Sequence, residues 1–169
     1  MTDLETLLPL AERVLSACQK KGLMVATAES CTGGLIAGIL TEIAGSSAVF
    51  DRGFVTYSNE AKKDLLNVKS ADLDAYGAVS EQIARQMASG ALANSRAQIA
   101  VAVTGVAGPG GGSEDKPVGT VYFGIAVHGE RTEHKHCLFS GEGRGQIRAL
   151  SIKTALELLL NAANSFVAR

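Results

Sequence analysis

Thr27-Ala28-Glu29-Ser30-Cys31-Thr32-Gly33-Gly34 sets three hydroxyls, a thiol and two glycines close together, after a short apolar run and before a helical one. At a helix N-terminus, unpaired backbone N–H groups and the macrodipole favour negative charge. Such a loop can bind a phosphate, or it can hold the oxyanion formed when a hydroxyl attacks a carbonyl. A plainer reading is that Ser30 or Thr32 caps the helix and the glycines permit tight packing. No lysine follows the glycines, so this is not a phosphate-binding Walker A loop, and it is not a G-x-S-x-G elbow either.

A serine at its own pKa is a poor nucleophile and needs a base. The histidines do not supply one. His128, His134 and His136 all fall in a late hairpin, with no HExxH spacing or nearby carboxylate pair, and read as surface or edge residues. Lysine, tyrosine or an acid remains. Tyr57-Ser58-Asn59-Glu60-Ala61-Lys62-Lys63 offers a phenol, an amide and two ammonium groups where a strand passes into a helix. A Ser-Lys or Ser-Lys-Tyr arrangement there requires a neutral lysine, whose pKa must fall from about 10.4 toward roughly 7 to 8. Burial and the neighbouring Lys63 push in that direction. Against this stands the reading of Lys62 and Lys63 as a solvated helix face. Cys31 is a rival nucleophile, because a thiol at a helix N-terminus has a lowered pKa. Thr104-Gly105-Val106-Ala107-Gly108-Pro109-Gly110 resembles a ligand-cradling loop, with Thr104 as hydroxyl donor and glycines that let backbone approach closely.

The surrounding patterns state what must hold these groups. Apolar residues at helical spacing predict a helix over 4–19, stopped by Gly22. A buried strand is expected at 23–26, a helix at 35–43, and a second strand at 53–57, with Asn59 capping the helix that carries Lys62. Ser80 opens a helix running to about Asn94. A third strand spans 97–103, the glycine-rich 106–117 is a loop, 118–127 and 133–139 form a hairpin, and an amphipathic helix covers 145–163. This order predicts a single-domain three-layer α/β/α sandwich over residues 1–169, with a mixed, mostly parallel sheet and a β-hairpin in the C-terminal half. Sites in such sheets lie beyond the strands' carboxyl ends, which is where Ser30, Tyr57 and Thr104 fall.

Composition narrows the function classes. With 16 basic and 17 acidic residues the net charge is −1, so no broad field gathers nucleic acid or anionic lipid. Apolar runs fall far short of the roughly 20 residues that a spanning helix needs, and acids occupy the N-terminal stretch where a signal peptide wants bases. A cytoplasmic protein is expected. Three cysteines, Cys18, Cys31 and Cys137, in no CxxC pairing, read as free thiols rather than a disulfide framework or thiolate zinc site. The absence of tryptophan removes the obvious base-stacking platform.

The segments TAESCTGG (27–34), GSSAVFDRGFVTYSNEAK (45–62), GAVSE (77–81) and TGVAGPGGGSEDKPVGTV (104–121), with the late Arg144, resemble the CinA C-terminal-domain family in fixed order along nearly the whole chain. The likeness is greatest to its stand-alone members, the nicotinamide mononucleotide deamidases. The resemblance implies an α/β/α sandwich that hydrolyses the carboxamide of nicotinamide mononucleotide to nicotinate mononucleotide and ammonia, without metal or cofactor. It implies Ser30 as nucleophile, Lys62 as general base and Tyr57 as auxiliary proton-transfer group, with Asn59 nearby. By the same likeness Thr104 and Gly105 contribute to the oxyanion or amide site, and Thr32, Gly33, Gly34 and Arg144 are candidates for the ribose phosphate. The expected partner is that small-molecule substrate, with no nucleic acid and no membrane, and the exposed hairpin edge is compatible with a homo-oligomer. Two alternatives are a non-catalytic nucleotide-binding module and a protein tied to DNA-uptake competence.

Overall fold

In the computed structural model, which describes residues 4–168, a five-stranded sheet forms the middle layer. The strands are β1 (Val25–Glu29), β2 (Phe50–Val55), β3 (Ile99–Gly105), β4 (Thr120–Val127) and β5 (Glu133–Leu138), in the order β2-β1-β3-β4-β5. β2, β1 and β3 are parallel neighbours, whereas β4 runs antiparallel to both β3 and β5. Four strands therefore share one direction and β4 alone opposes them. The expected mixed sheet is borne out, with its hairpin β4–β5 on one side and β5 as an edge strand.

The helices are α1 (Leu8–Lys20), α2 (Leu35–Thr41), α3 (Asn59–Leu66), α4 (Ser70–Tyr76), α5 (Glu81–Ala93) and α6 (Arg144–Ser165). β3 shows how the two faces are filled. Ile99, Val101 and Val103 alternate into a core shared with α1, α2 and α6, while Ala100 and Ala102 face a core shared with α5. Bulky branched side chains thus hold one helical layer off the sheet, and alanines let the other approach closely. On the close side a Cβ at Gly124 would overlap the Ala84 carbonyl of α5, and one at Gly90 of α5 would overlap the Leu66 carbonyl of α3. Gly90 is therefore the contact that seats α3 against α5.

The elements differ from expectation in instructive places. The first helix begins as a 3-10 turn, Leu4–Leu7, with Pro9 in the first turn of α1. β1 runs past Ala26 to Glu29 because Thr27 and Glu29, though polar, are fully buried. An apolar-run reading stops where polarity starts. Asn59 is not a cap. Ser58 stays extended (φ −83°, ψ 162°) and its hydroxyl accepts from the Ala61 N–H at 3.0 Å, which leaves Asn59 as the first helical residue, exposed to solvent. Helix α4 has no counterpart among the expected elements, since its seven residues bury only Leu73 and carry little periodicity. No helix is long and apolar enough to cross a membrane among the described residues.

Candidate active site

Parallel pairing brings three strand ends together: Glu29 of β1 lies opposite Val55 of β2 and Val103 of β3. The residues that follow each strand must therefore converge. Ser30 N–H donates to the Val103 carbonyl at 3.0 Å, and Thr56 N–H donates to the Glu29 carbonyl at 2.9 Å, so the serine and the Thr56-Tyr57 turn are extensions of the sheet's own ladder.

Lys62, one turn into α3, reaches back toward this point. Its Nζ donates to the carbonyls of Thr56 at 2.8 Å and Tyr57 at 3.2 Å, and lies 3.0 Å from the Ser30 Oγ. The side chain is 1% exposed. Among the described residues this lysine meets no carboxylate partner, and burial pushes its pKa down to about 8, opposed only by the neighbouring Cys31. Lys63 was expected to assist but is engaged with Glu60 at 3.7 Å and plays no part in the shift. The solvated-face reading of Lys62 fails, while for Lys63 it holds.

Burial has the opposite effect on the adjacent thiol. Cys31 is pushed up to about 11, chiefly by desolvation, so its expected activation at the helix start does not occur. The start of α2 is also occupied, from one residue before Ser30. Both Glu29 carboxylate oxygens are occupied inside the fold, accepting from the N–H groups of Ile36 at 2.9 Å and Ala37 at 3.0 Å. The positive end of α2 is already neutralised by an internal anion, which removes it as a free phosphate or thiolate site.

A cavity of about 210 Å³ opens over the pair, lined by Ser30, Cys31, Tyr57, Gly105, Ala107 and Arg144. A larger groove of about 430 Å³ lies between the N-terminal helices and α2 and holds no nucleophile. Gly105 has no room for a side chain, since a Cβ there would meet Val121 and the Thr120 carbonyl at 2.8 and 2.9 Å. Tyr57 is 63% exposed at the cavity wall. The Arg144 guanidinium donates to the Gly108 carbonyl at 2.7 Å, which ties the start of α6 to the glycine-rich loop.

Other expected site residues stand elsewhere. The Thr104 hydroxyl donates to the Ala78 carbonyl at 2.9 Å and the residue is fully buried, so it holds the loop before α5 instead of offering a donor to a ligand. Thr32 is fully buried with its hydroxyl unpaired. Gly33 and Gly34 take left-handed conformations (φ 60° and 95°) that turn the chain into α2, and neither lines the cavity; Asn59 does not line it either. Two contributors escaped sequence reasoning. Glu29 left a signal as a lone carboxylate at a strand end, and Arg148 left one by its spacing of four from Arg144. Arg148 donates to the carbonyls of Cys31 at 3.1 Å and Thr32 at 3.3 Å. No group of three or more His, Cys, Asp or Glu among the described residues is arranged to hold a metal ion.

Fold and site together define a three-layer α/β protein that presents a serine hydroxyl to a buried, low-pKa lysine beyond the carboxyl ends of its strands. Its relatives agree on a single lineage. The chain belongs to the CinA C-terminal domain family, whose model matches residues 7–163. A protein of Escherichia coli (strain K12) named nicotinamide-nucleotide amidohydrolase PncC is 51% identical over 160 residues, which cover 94% of this chain and 95% of that one. A protein of Caldicellulosiruptor bescii named putative competence-damage inducible protein is 54% identical over 150 residues, 89% of this chain but 36% of its own length. The crystal structure of competence/damage inducible protein CihA from Agrobacterium tumefaciens superposes with a TM-score of 0.89 at 56% identity, over 92% of this chain and 95% of that one.

Proposed function

We propose that this chain is an amidohydrolase that converts nicotinamide mononucleotide to nicotinate mononucleotide and ammonia, with Ser30 as nucleophile. The observation that carries the reading is the 3.0 Å approach of the Lys62 amine to the Ser30 hydroxyl in a site that excludes water from the lysine. The similarity to the E. coli amidohydrolase along nearly the full length of both chains supports the substrate.

Neutral Lys62 takes the Ser30 proton as the Oγ–C bond forms at the carboxamide carbon. In the proposed mechanism backbone N–H groups at the site hold the oxyanion. When the tetrahedral species collapses the C–N bond breaks, and the proton held by Lys62, relayed with the help of Tyr57 at the cavity wall, leaves with ammonia. Water then attacks the acyl-enzyme, Lys62 accepts its proton, and nicotinate mononucleotide departs as Ser30 regains a hydrogen. Arg144, the cation lining the cavity, is the proposed partner of the ribose phosphate.

Ammonia release from nicotinamide mononucleotide by the chelator-treated protein, beside Ser30→Ala, tests this directly. Turnover that drops by several orders of magnitude in the variant while nucleotide still binds is expected. Nucleotide binding by the wild-type protein without turnover would instead make it a binding module in which Ser30 only ends a strand.

A further inference from the structure

The loop that carries Ser30 has little to hold itself in place. It contains two consecutive left-handed glycines, and α2 beyond it is only seven residues long. Its internal bonds are few: Gly33 N–H donates to the Ser30 carbonyl and Leu35 N–H to the Thr32 carbonyl, both at 3.1 Å. Glu29 anchors the far side by taking the Ile36 and Ala37 amides. Among the described residues the Cys31 carbonyl has no backbone partner, and its bond is the one from Arg148 Nε at 3.1 Å. The same guanidinium takes the Thr32 carbonyl at 3.3 Å.

We infer that Arg148 is a positioning residue for the reaction: its planar fork fixes the Cys31-Thr32 and Thr32-Gly33 peptides and thereby aims the Ser30 hydroxyl at Lys62 and the cavity. This rests on the proposed role of Ser30. Because peptide units are planar, pinning the two carbonyls fixes the orientation of the whole turn that follows the nucleophile. A guanidinium can bond two adjacent carbonyls at once, which a lysine ammonium on a flexible stem does not reproduce. Arg144 and Arg148 lie four residues apart on α6, so one helix face presents both cations to the site region with different tasks. Arg144 lines the cavity, where a ligand can meet it, whereas Arg148 is spent on the backbone behind Ser30. Without Arg148 the turn relaxes around its glycines, and a shift of about 1 Å at the nucleophile costs on the order of a hundredfold in rate.

The test compares Arg148→Ala, Arg148→Lys and Arg144→Ala with wild type in nicotinamide mononucleotide hydrolysis, and measures by mass spectrometry the rate at which phenylmethylsulfonyl fluoride labels Ser30. Arg148→Ala is expected to lower kcat by about 10- to 100-fold with KM nearly unchanged, and to slow labelling in parallel. Millimolar guanidinium should restore part of both losses, and Arg148→Lys should restore less than guanidinium does. Arg144→Ala should show the reverse pattern, a raised KM with kcat largely kept. An Arg148→Ala protein with wild-type kcat and labelling rate overturns the inference, as does one in which KM alone rises. If Arg148→Ala fails to fold, the same comparison of kcat and labelling in Arg148→Lys decides. Wild-type protein that is labelled at Ser30 yet leaves the nucleotide intact refutes the proposed substrate and leaves the labelling comparison to judge Arg148. Wild-type protein that is neither labelled nor active refutes the nucleophile and the inference with it.

Discussion

The Nζ of Lys62 and the Oγ of Ser30 lie 3.0 Å apart although 32 residues separate them in the chain. The carbonyls of Thr56 and Tyr57 also hold the amine, and among the described residues no carboxylate pairs with it. With its pKa lowered by burial to about 8, the amine is about one-tenth neutral at pH 7. Hydrolysis should therefore rise roughly tenfold from pH 7 to a plateau above pH 9, following one ionisation near pH 8 in kcat/KM. A profile flat across that range would show that Lys62 is not the base.

The same shift appears in stability. In the unfolded chain the lysine titrates near 10.5, and in the folded chain near 8, so between these values the unfolded state binds more protons and folding gains as pH rises. Below pH 8 the cost of a buried ammonium is fully present; above about 10.5 it is gone. The denaturation free energy of wild type minus that of Lys62→Met should accordingly move in favour of wild type over this window, by up to about 3 kcal/mol. A difference that stays constant with pH would mean the amine keeps its ordinary pKa.

Cys31 stands beside Ser30 in the cavity wall but is held as a thiol, with its pKa pushed up to about 11 by burial. Cys31→Ala is expected to keep most of the turnover, with a stability loss of about 1 kcal/mol from the small cavity. Iodoacetamide at neutral pH should modify Cys31 slowly. Loss of activity in Cys31→Ala on the scale of Ser30→Ala would transfer the nucleophile's role to the thiol.

Gly90 does not line the cavity, yet it governs the approach of α3 to α5 through the Leu66 carbonyl. An alanine there gains up to about 1 kcal/mol of helix propensity but forces backbone against backbone. Gly90→Ala should destabilise the protein by about 1 to 3 kcal/mol and reduce kcat, because the helix that must shift carries Lys62. Thermal denaturation and turnover of this variant check both parts, and an increase in melting temperature would contradict them.

How far the chain could be read follows from where each signal resides. Ser30 and Lys62 could be singled out as candidates because a hydroxyl before two glycines at a strand end and a lysine just inside a helix are local patterns, while the likeness to a known family favoured the pair over a helix cap and a solvated face. The order of strands and helices, and with it the layered architecture, follows from periodicities of two and 3.6 residues that need no partner to be seen. What the sequence left open depends on distance through space. Whether Lys62 faces solvent or Ser30 is decided by α3 settling on Gly90, and that same burial lowers the amine's pKa while raising the thiol's. Glu29 and Thr27 read as the end of a strand because polarity normally marks a surface, and only the structure shows the carboxylate turned inward onto the amides of α2. Arg148 meets the Cys31 carbonyl across 117 residues. Residue types and spacing thus determined which groups could react, while packing decided their charge states and which of them meet, because desolvation and hydrogen-bond geometry belong to the folded interior and not to the chain.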